Sequence, residues 1–343
     1  MGASLRCTDV SSAGTRGTPV TRPFRFAVQA YTCTTRTQWV DLARKVEDLG
    51  FSTLHVADHY LGSGTMIEGT GHPVQKMACV PAMTAAAMVT TTLRVGSRLA
   101  CVSYHEPTVL TSEMATVDVL SEGRLEIGLG AGWLVNEYAA LGIPLETAGR
   151  RIQRLRETAE FMTMAYTTDG EVDYRGEYVR AHGYVATPRP IQRPRPPLMI
   201  GGGAPKVLRL AGELADIVSV NFNNRSGVFG LDCITSATDV ETRRKIGWIR
   251  EGAGERFDQL ELETGIYFIS VSGRSAVSPE DLMERTGMDR AQMRDCPHAA
   301  VGSVDDVCEQ LIRNREEYGF SYITVGMAHL DDFAPIVASL AGA

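Results

Sequence analysis

The chain has no excess of positive charge, no long apolar run and no paired cysteine motif, and each lack removes a class of function. Its formal net charge is −7, so it lacks the positive field that displaces counterions from nucleic-acid phosphates. Nucleic acid is therefore not an expected partner, although a small anion held by local donors remains compatible. No stretch approaches the roughly 18 apolar residues that span a bilayer, so no membrane partner is expected either. The seven cysteines (Cys7, Cys33, Cys79, Cys101, Cys233, Cys296 and Cys308) are scattered, odd in number and free of C-x-x-C. They read as reduced thiols of a cytoplasmic protein, not as a disulfide framework or a zinc site. The seven histidines show no H-E-x-x-H spacing, so no metal is expected. There is no G-x-S-x-G, and no carboxylate pair suits glycoside hydrolysis. The Ser-, Thr- and Gly-rich start lacks the apolar segment of a signal peptide, and residues 1–22 read as a disordered extension.

What is present is one repeated pattern over residues 23–343. Hydrophobic residues make up 44% and charged residues 22% of the chain, enough for a large core. Phe24, Phe26, Val28 and Ala30 alternate as a strand. Thr35-Arg36-Thr37-Gln38 then has capping-box spacing, and Trp39, Leu42, Ala43, Val46 and Leu49 recur at helical spacing before Gly50. Phe51–Ala57 is a second strand. Further strands are expected at Leu93–Val102, Arg124–Leu129, Leu198–Ile200, Ile217–Val220, Glu263–Val271 and Phe320–Val325, with helical patterns between them. A polar stretch from Gly176 to Thr187 suits a hairpin. Eight strands alternating with amphipathic helices predict a single (β/α)8 TIM barrel. Residues 221–260 and 272–302 read as insertions near the mouth at its C-terminal face.

In such a barrel the chemistry sits at the C-terminal ends of the strands. The second strand ends in Asp58-His59-Tyr60, an acid and a histidine suited to proton transfer, or else a histidine merely satisfied at a strand end. The fourth ends in Gly128-Leu129-Gly130-Ala131-Gly132-Trp133, followed by Asn136, Glu137 and Tyr138. Those glycines allow a ligand close to the backbone, or simply tight packing; the spacing is not a dinucleotide fingerprint, since its third glycine falls on Trp133. The fifth is followed by Gly201-Gly202-Gly203-Ala204-Pro205-Lys206. Free amides, a helix start and a lysine together suit a phosphate. Arg150, Arg151, Arg154 and Arg156 read as a solvated helix face with local ion pairs, a grip on an acidic tail being the alternative. His72 and His105 lie in loops that border the site, and His55 reads as structural.

Taken in order, Asp58-His59, the run from Gly128 to Tyr138, the Pro188–Pro194 segment and Gly201–Pro205 resemble the luciferase-like monooxygenase superfamily, from about Phe24 onward. The Asp-His pair is most similar to its F420-dependent oxidoreductase branch. The resemblance implies a deazaflavin in the barrel mouth with its phosphate on Gly202, Gly203 and Ala204. It implies further cofactor contacts at Asp58, Arg98, Leu99, Trp133 and Asn136, and a non-prolyl cis peptide near Arg98-Leu99. It also implies a homodimer. Sugar-phosphate dehydrogenases of that branch carry a glutamate where this chain has Trp133, which can only pack or stack.

The function implied is an F420-dependent reductase. It would pass hydride from deazaflavin C5 to an activated C=C or C=N bond of a small molecule or modified peptide. His59 would be the proton donor, oriented by nearby polar groups such as Asp58. Two alternatives stand beside it: a two-component monooxygenase using FMN, and a non-catalytic barrel that binds a flavin-like ligand or a protein.

Overall fold

The computed structural model describes residues 22–228 and 230–343. The expected N-terminal extension therefore lies outside the described residues except for Arg22, which donates to the backbone oxygen of Gln259 at 2.5 Å. In chain order the strands are β1 (Arg25–Ala30), β2 (Thr53–Val56), β3 (Arg94–Ser97), β4 (Ala100–Cys101) and β5 (Leu125–Gly130). They continue with β6 (Val172–Arg175), β7 (Arg180–Tyr184), β8 (Leu198–Gly202), β9 (Ile217–Val220), β10 (Glu261–Ile266), β11 (Phe268–Val271), β12 (Ala299–Gly302) and β13 (Phe320–Gly326). Pairing runs β3-β2-β1-β13-β10-β9-β8-β5, and a β3–β5 pairing closes the ring. All of these pairs are parallel. The chain thus forms the closed eight-stranded α/β barrel that the sequence pattern predicts.

Two expected strands are divided. The third breaks at Arg98-Leu99, whose peptide is cis, so β4 is a short continuation of β3 that pairs with β5. The seventh ends at Ile266; β11 then leaves the barrel and pairs with β12. The hairpin is β6–β7 and starts before Gly176. The Thr35 capping box is formed as expected, with Gln38 as its partner. No described helix is long and apolar enough to cross a membrane.

Strand alternation divides the side chains between two environments. Phe26 and Val28, Leu54 and Val56, Ile127 and Leu129 face outward into the main core beneath the helices. The inward set is smaller: Ala27, Met199, Ile217 and Tyr322 form a separate cluster with Leu99. The N-terminal end of the interior is ionic. Arg25 reaches Glu261 at 2.6 Å, while Arg94 meets Glu126 at 2.8 Å. Tyr322 donates to Glu126 at 2.9 Å and contacts the His55 ring nitrogen at 3.0 Å. His55 is fully buried there, in the structural role expected of it. Burial works to raise the Glu126 carboxyl, but Arg25, the His55 contact and Arg94 outweigh it and hold it well below the ordinary range.

At the mouth end the interior is kept open by glycine. A Cβ at Gly128 would lie 1.9 Å from the Ser97 carbonyl oxygen, and one at Gly201 would lie 2.7 Å from Leu99 Cδ1. Gly128→Ala should therefore cost about 1–3 kcal/mol or more through overpacking against backbone. Gly62→Ala, with nothing within 4 Å of its Cβ, should stay within about 0.5 kcal/mol of wild type. Urea unfolding of the two variants checks both.

Candidate active site

A cavity of about 980 Å³ opens where the barrel strands end, at the upper end of the range for small-molecule and cofactor pockets. Asp58, His59, Arg98, Leu99, Trp133, Gly202, Gly203 and Ala204 all line it. Of the expected site residues only Asn136 does not: its side-chain amide donates to the Met66 carbonyl at 2.9 Å, tying a helix start to the long loop after β2. Among the insertions, Asn221–Arg225 and Gly227 line the cavity, whereas residues 272–302 do not. That second insertion forms a layer behind the wall, packing on Phe222 and Phe268, which themselves line the cavity.

Asp58 and His59 are neighbours in sequence but serve separate pairs. Asp58 Oδ2 accepts the Cys101 N–H at 2.9 Å and contacts His105 Nε2 at 2.7 Å. Burial would lower the His105 imidazole, yet the Asp58 carboxylate raises it above its ordinary value. Asp58 Oδ1 is buried and accepts no hydrogen bond among the described residues. His59 Nδ1 lies 2.6 Å from Glu137 Oε2. The same carboxylate accepts the Tyr60 N–H at 2.5 Å and the Tyr104 hydroxyl at 3.0 Å. The expectation that Asp58 orients His59 is thus corrected: Glu137 does so. Successive residues leaving a strand point to opposite sides, so Asp58 turns toward β4 and His59 toward the helix Val135–Leu141.

The partner fixes the chemistry of His59. An ionised carboxylate only accepts hydrogen bonds, so Nδ1 carries a proton and Nε2 is the atom left to exchange one. Burial works to raise the Glu137 carboxyl, but the His59 contact, the Tyr60 amide and the Tyr104 hydroxyl hold it below its ordinary range. Next to His59 the His72 ring lies 4.0 Å away, and Trp133 stands edge-on at 6.1 Å. Burial and the neighbouring His59 push His72 down to about 3, so it is neutral near pH 7.

The floor is a network that the sequence alone did not reveal beyond Arg98 and Leu99. Arg98 pairs with Glu263 at 3.0 Å and donates to Gln29 at 2.7 Å. It also donates to Asn221 and to the Tyr267 hydroxyl, both at 3.2 Å. Glu263 was concealed as one acid inside an expected strand; its role follows only from its inward register on β10. Glu137 had a fainter signal, an acid directly after Asn136 at a helix start, and it is completely buried.

The other end of the cavity suits an anion. The helix Pro205–Leu214 opens with Ala204 as N-cap, which makes no side-chain cap bond, so its first amides face outward uncapped. Gly203 must be glycine, since a Cβ there would lie 2.2 Å from the Phe222 carbonyl oxygen. Lys206, Arg151 and Arg225 line the same cavity. None of the three forms an ion pair among the described residues. The expected solvated face holds for their neighbours: Arg150 and Arg154 pair with Glu146, and Arg156 with Glu160 and Glu213. Arg151 differs because its position on the helix turns it inward to the mouth. No group of three His, Cys, Asp or Glu among the described residues is placed to hold a metal.

The closed parallel barrel thus brings a histidine–carboxylate pair and an uncapped helix start with nearby cations to one mouth, where barrels of this kind carry their chemistry. The chain belongs to the luciferase-like monooxygenase family, whose model matches residues 20–228. It is 33% identical over 190 residues to an uncharacterized protein of Mycobacterium bovis, covering 51% of this chain and 64% of that one. It is 30% identical over 181 residues to the F420-dependent glucose-6-phosphate dehydrogenase of Amycolatopsis mediterranei, covering 52% and 51%. The 5,10-methylenetetrahydromethanopterin reductase of Methanopyrus kandleri is 25% identical over 303 residues, 79% of each chain. The chain thus spans 64% of the first of these relatives and about half of the dehydrogenase. An F420-dependent secondary alcohol dehydrogenase, solved with an F420-acetone adduct, shares the fold with a TM-score of 0.72 at 17% identity, covering 93% of this chain and 99% of that one.

Glu137→Gln should lower stability at pH 7 by about 1–3 kcal/mol, since it weakens three buried contacts to a charge. The folded carboxyl titrates below its unfolded value, so its contribution is complete above the ordinary glutamate pKa. The gap between variant and wild type should then shrink as the pH falls below about 4. Urea titrations at pH 7, 5 and 3 check this, and a gap that stays constant would sink the assigned role of the charge.

Proposed function

We propose that this protein is an F420-dependent oxidoreductase, a reductase acting on an activated C=C or C=N bond of a small molecule or modified peptide. The observation that carries the cofactor choice is the set of three cations without ion-pair partners among the described residues, Lys206 at the uncapped helix start with Arg151 and Arg225 elsewhere in the lining of the same cavity. FMN ends in a single phosphate, whereas F420 carries a phosphodiester and, beyond it, carboxylates. A cationic end larger than one phosphate needs suits the latter. The family and the F420-dependent relatives are consistent with this reading.

The residues fit such a group. Gly202, Gly203 and Ala204 would hold its phosphate through backbone amides, and Lys206, Arg151 and Arg225 its remaining charge. Asp58 Oδ1, buried and without a donor among the described residues, would accept an N–H or O–H from it, and Arg98 with Leu99 would support it from below. When bound and reduced, F420 supplies hydride at its C5 carbon. The chain's own part is proton delivery and positioning. His59, held at Nδ1 by Glu137, gives a proton from Nε2 to the substrate atom beside the carbon being saturated. Once the proton has left, the Glu137 contact keeps the ring in the tautomer that can be reprotonated at Nε2. The ring wall of His72 and Trp133 limits water beside it.

Equilibrium binding of F420 and FMN, measured side by side on the purified protein, tests the cofactor. Micromolar or tighter binding of F420 with negligible FMN binding is expected; preference for FMN would move the assignment to a monooxygenase. Arg151→Ala combined with Lys206→Ala should weaken F420 by about tenfold or more and flatten its salt dependence. His59→Ala should slow turnover by roughly 10²–10⁴-fold while leaving F420 affinity nearly intact. Equal losses in both would count against the proton-donor role.

A further inference from the structure

Lys245 is the one lysine without an outlet to solvent. It lies on the helix Asp239–Ala253 and is 1% exposed. Its Nζ donates to the Asn221 carbonyl at 2.8 Å and to the Ser236 carbonyl at 2.7 Å. It forms no ion pair among the described residues. Burying an ammonium group with only carbonyl partners is costly, and a methionine of similar volume would avoid that cost. The amine is accounted for by what it joins. Asn221 and Ser236 are the two ends of the segment that supplies Asn221, Phe222, Asn224, Arg225 and Gly227 to the cavity wall.

We infer that Lys245 is a positioning residue that fastens the Asn221–Ser236 segment to the barrel and so holds that wall of the cavity in place. Other contacts close the same clasp. The Asn223 N–H donates to Ser236 Oγ at 2.9 Å, and Asn221 Oδ1 accepts from Arg98 and Tyr267 at the floor. The segment therefore connects the floor network to the cationic end, where Arg225 sits. Burial lowers the lysine to about 8, with Glu241 opposing and Cys296 and Cys233 facing it. A neutral amine keeps two N–H groups, enough for both carbonyls, so the clasp persists on either side of that value. A side chain without a donor cannot replace it. The inference stands apart from the cofactor reading, because it concerns the wall and not what the wall encloses.

Hydrogen–deuterium exchange on the full chain tests it, with trypsin cleavage after the exposed Arg225 as a second readout. In Lys245→Met, amides between 222 and 236 should exchange at least about tenfold faster, with the barrel strands unchanged, and Arg225 should be cut correspondingly faster. Lys245→Arg, which keeps donors, should restore part of the protection. A folded Lys245→Met protein with wild-type exchange and cleavage overturns the inference. Should that variant fail to fold, acetic anhydride labelling of the wild type decides. Lys245 should react at least about tenfold more slowly than Lys45, Lys76 and Lys206, in step with cleavage at Arg225. Modification of Lys245 while the segment stays protected overturns it as well.

Discussion

The mouth of this barrel is shaped by the side chain of Leu99. It turns into the interior just after β3, joins Ala27, Met199, Ile217 and Tyr322, and fills the space that other strands would otherwise fill from above. Glycine on the facing strands is the counterpart: a Cβ at Gly130 would approach Leu99 Cβ to 3.2 Å, and one at Gly201 would come closer still. One inserted residue therefore dictates why two separate strands end in glycine. It also sets the level below which no ligand can descend, so that the cavity begins at Arg98 and Leu99.

Above that level the charges are arranged in pairs that do not compete. Asp58 belongs to His105, Glu137 to His59 and Glu263 to Arg98, each carboxylate coming from a different part of the chain. In a low-dielectric pocket three carboxylates sharing one partner would repel and neutralise. Given separate partners, each is free for a distinct task. The cations of the lining that form no ion pair among the described residues are Arg151, Lys206 and Arg225. The cavity thus offers a histidine–carboxylate pair beside β2 and those unpaired cations with an uncapped helix start, the two features on which the proposed function rests.

Much of the fold was legible in the sequence because its signals are local. Thr35 and Gln38 cap a helix by spacing, Gly50 follows its end, and apolar runs such as Ile217–Val220 are strands whatever lies beside them. The departures came where pairing changes mid-strand. Nothing in Glu263–Val271 marks Ile266 as the end of barrel pairing, since the exit depends on β12 arriving from thirty residues on. The same limit explains the insertion at 272–302, which lies behind the mouth against Phe222 and Phe268 without contributing a lining residue.

For the site, sequence by itself determined which residues leave the strand ends, because strand order and length decide that: Asp58, His59, Trp133 and Gly202–Ala204 all reach the cavity. Only the tertiary structure decided their partners. A one-residue step along a strand end sends a side chain to the opposite side, so adjacency of Asp58 and His59 could not make them a pair. Glu137, Glu263 and Lys245 acquire roles only once elements distant in the chain are packed. Hydrogen bonds of 2.6–3.0 Å require positions fixed in three dimensions, which local sequence patterns do not encode.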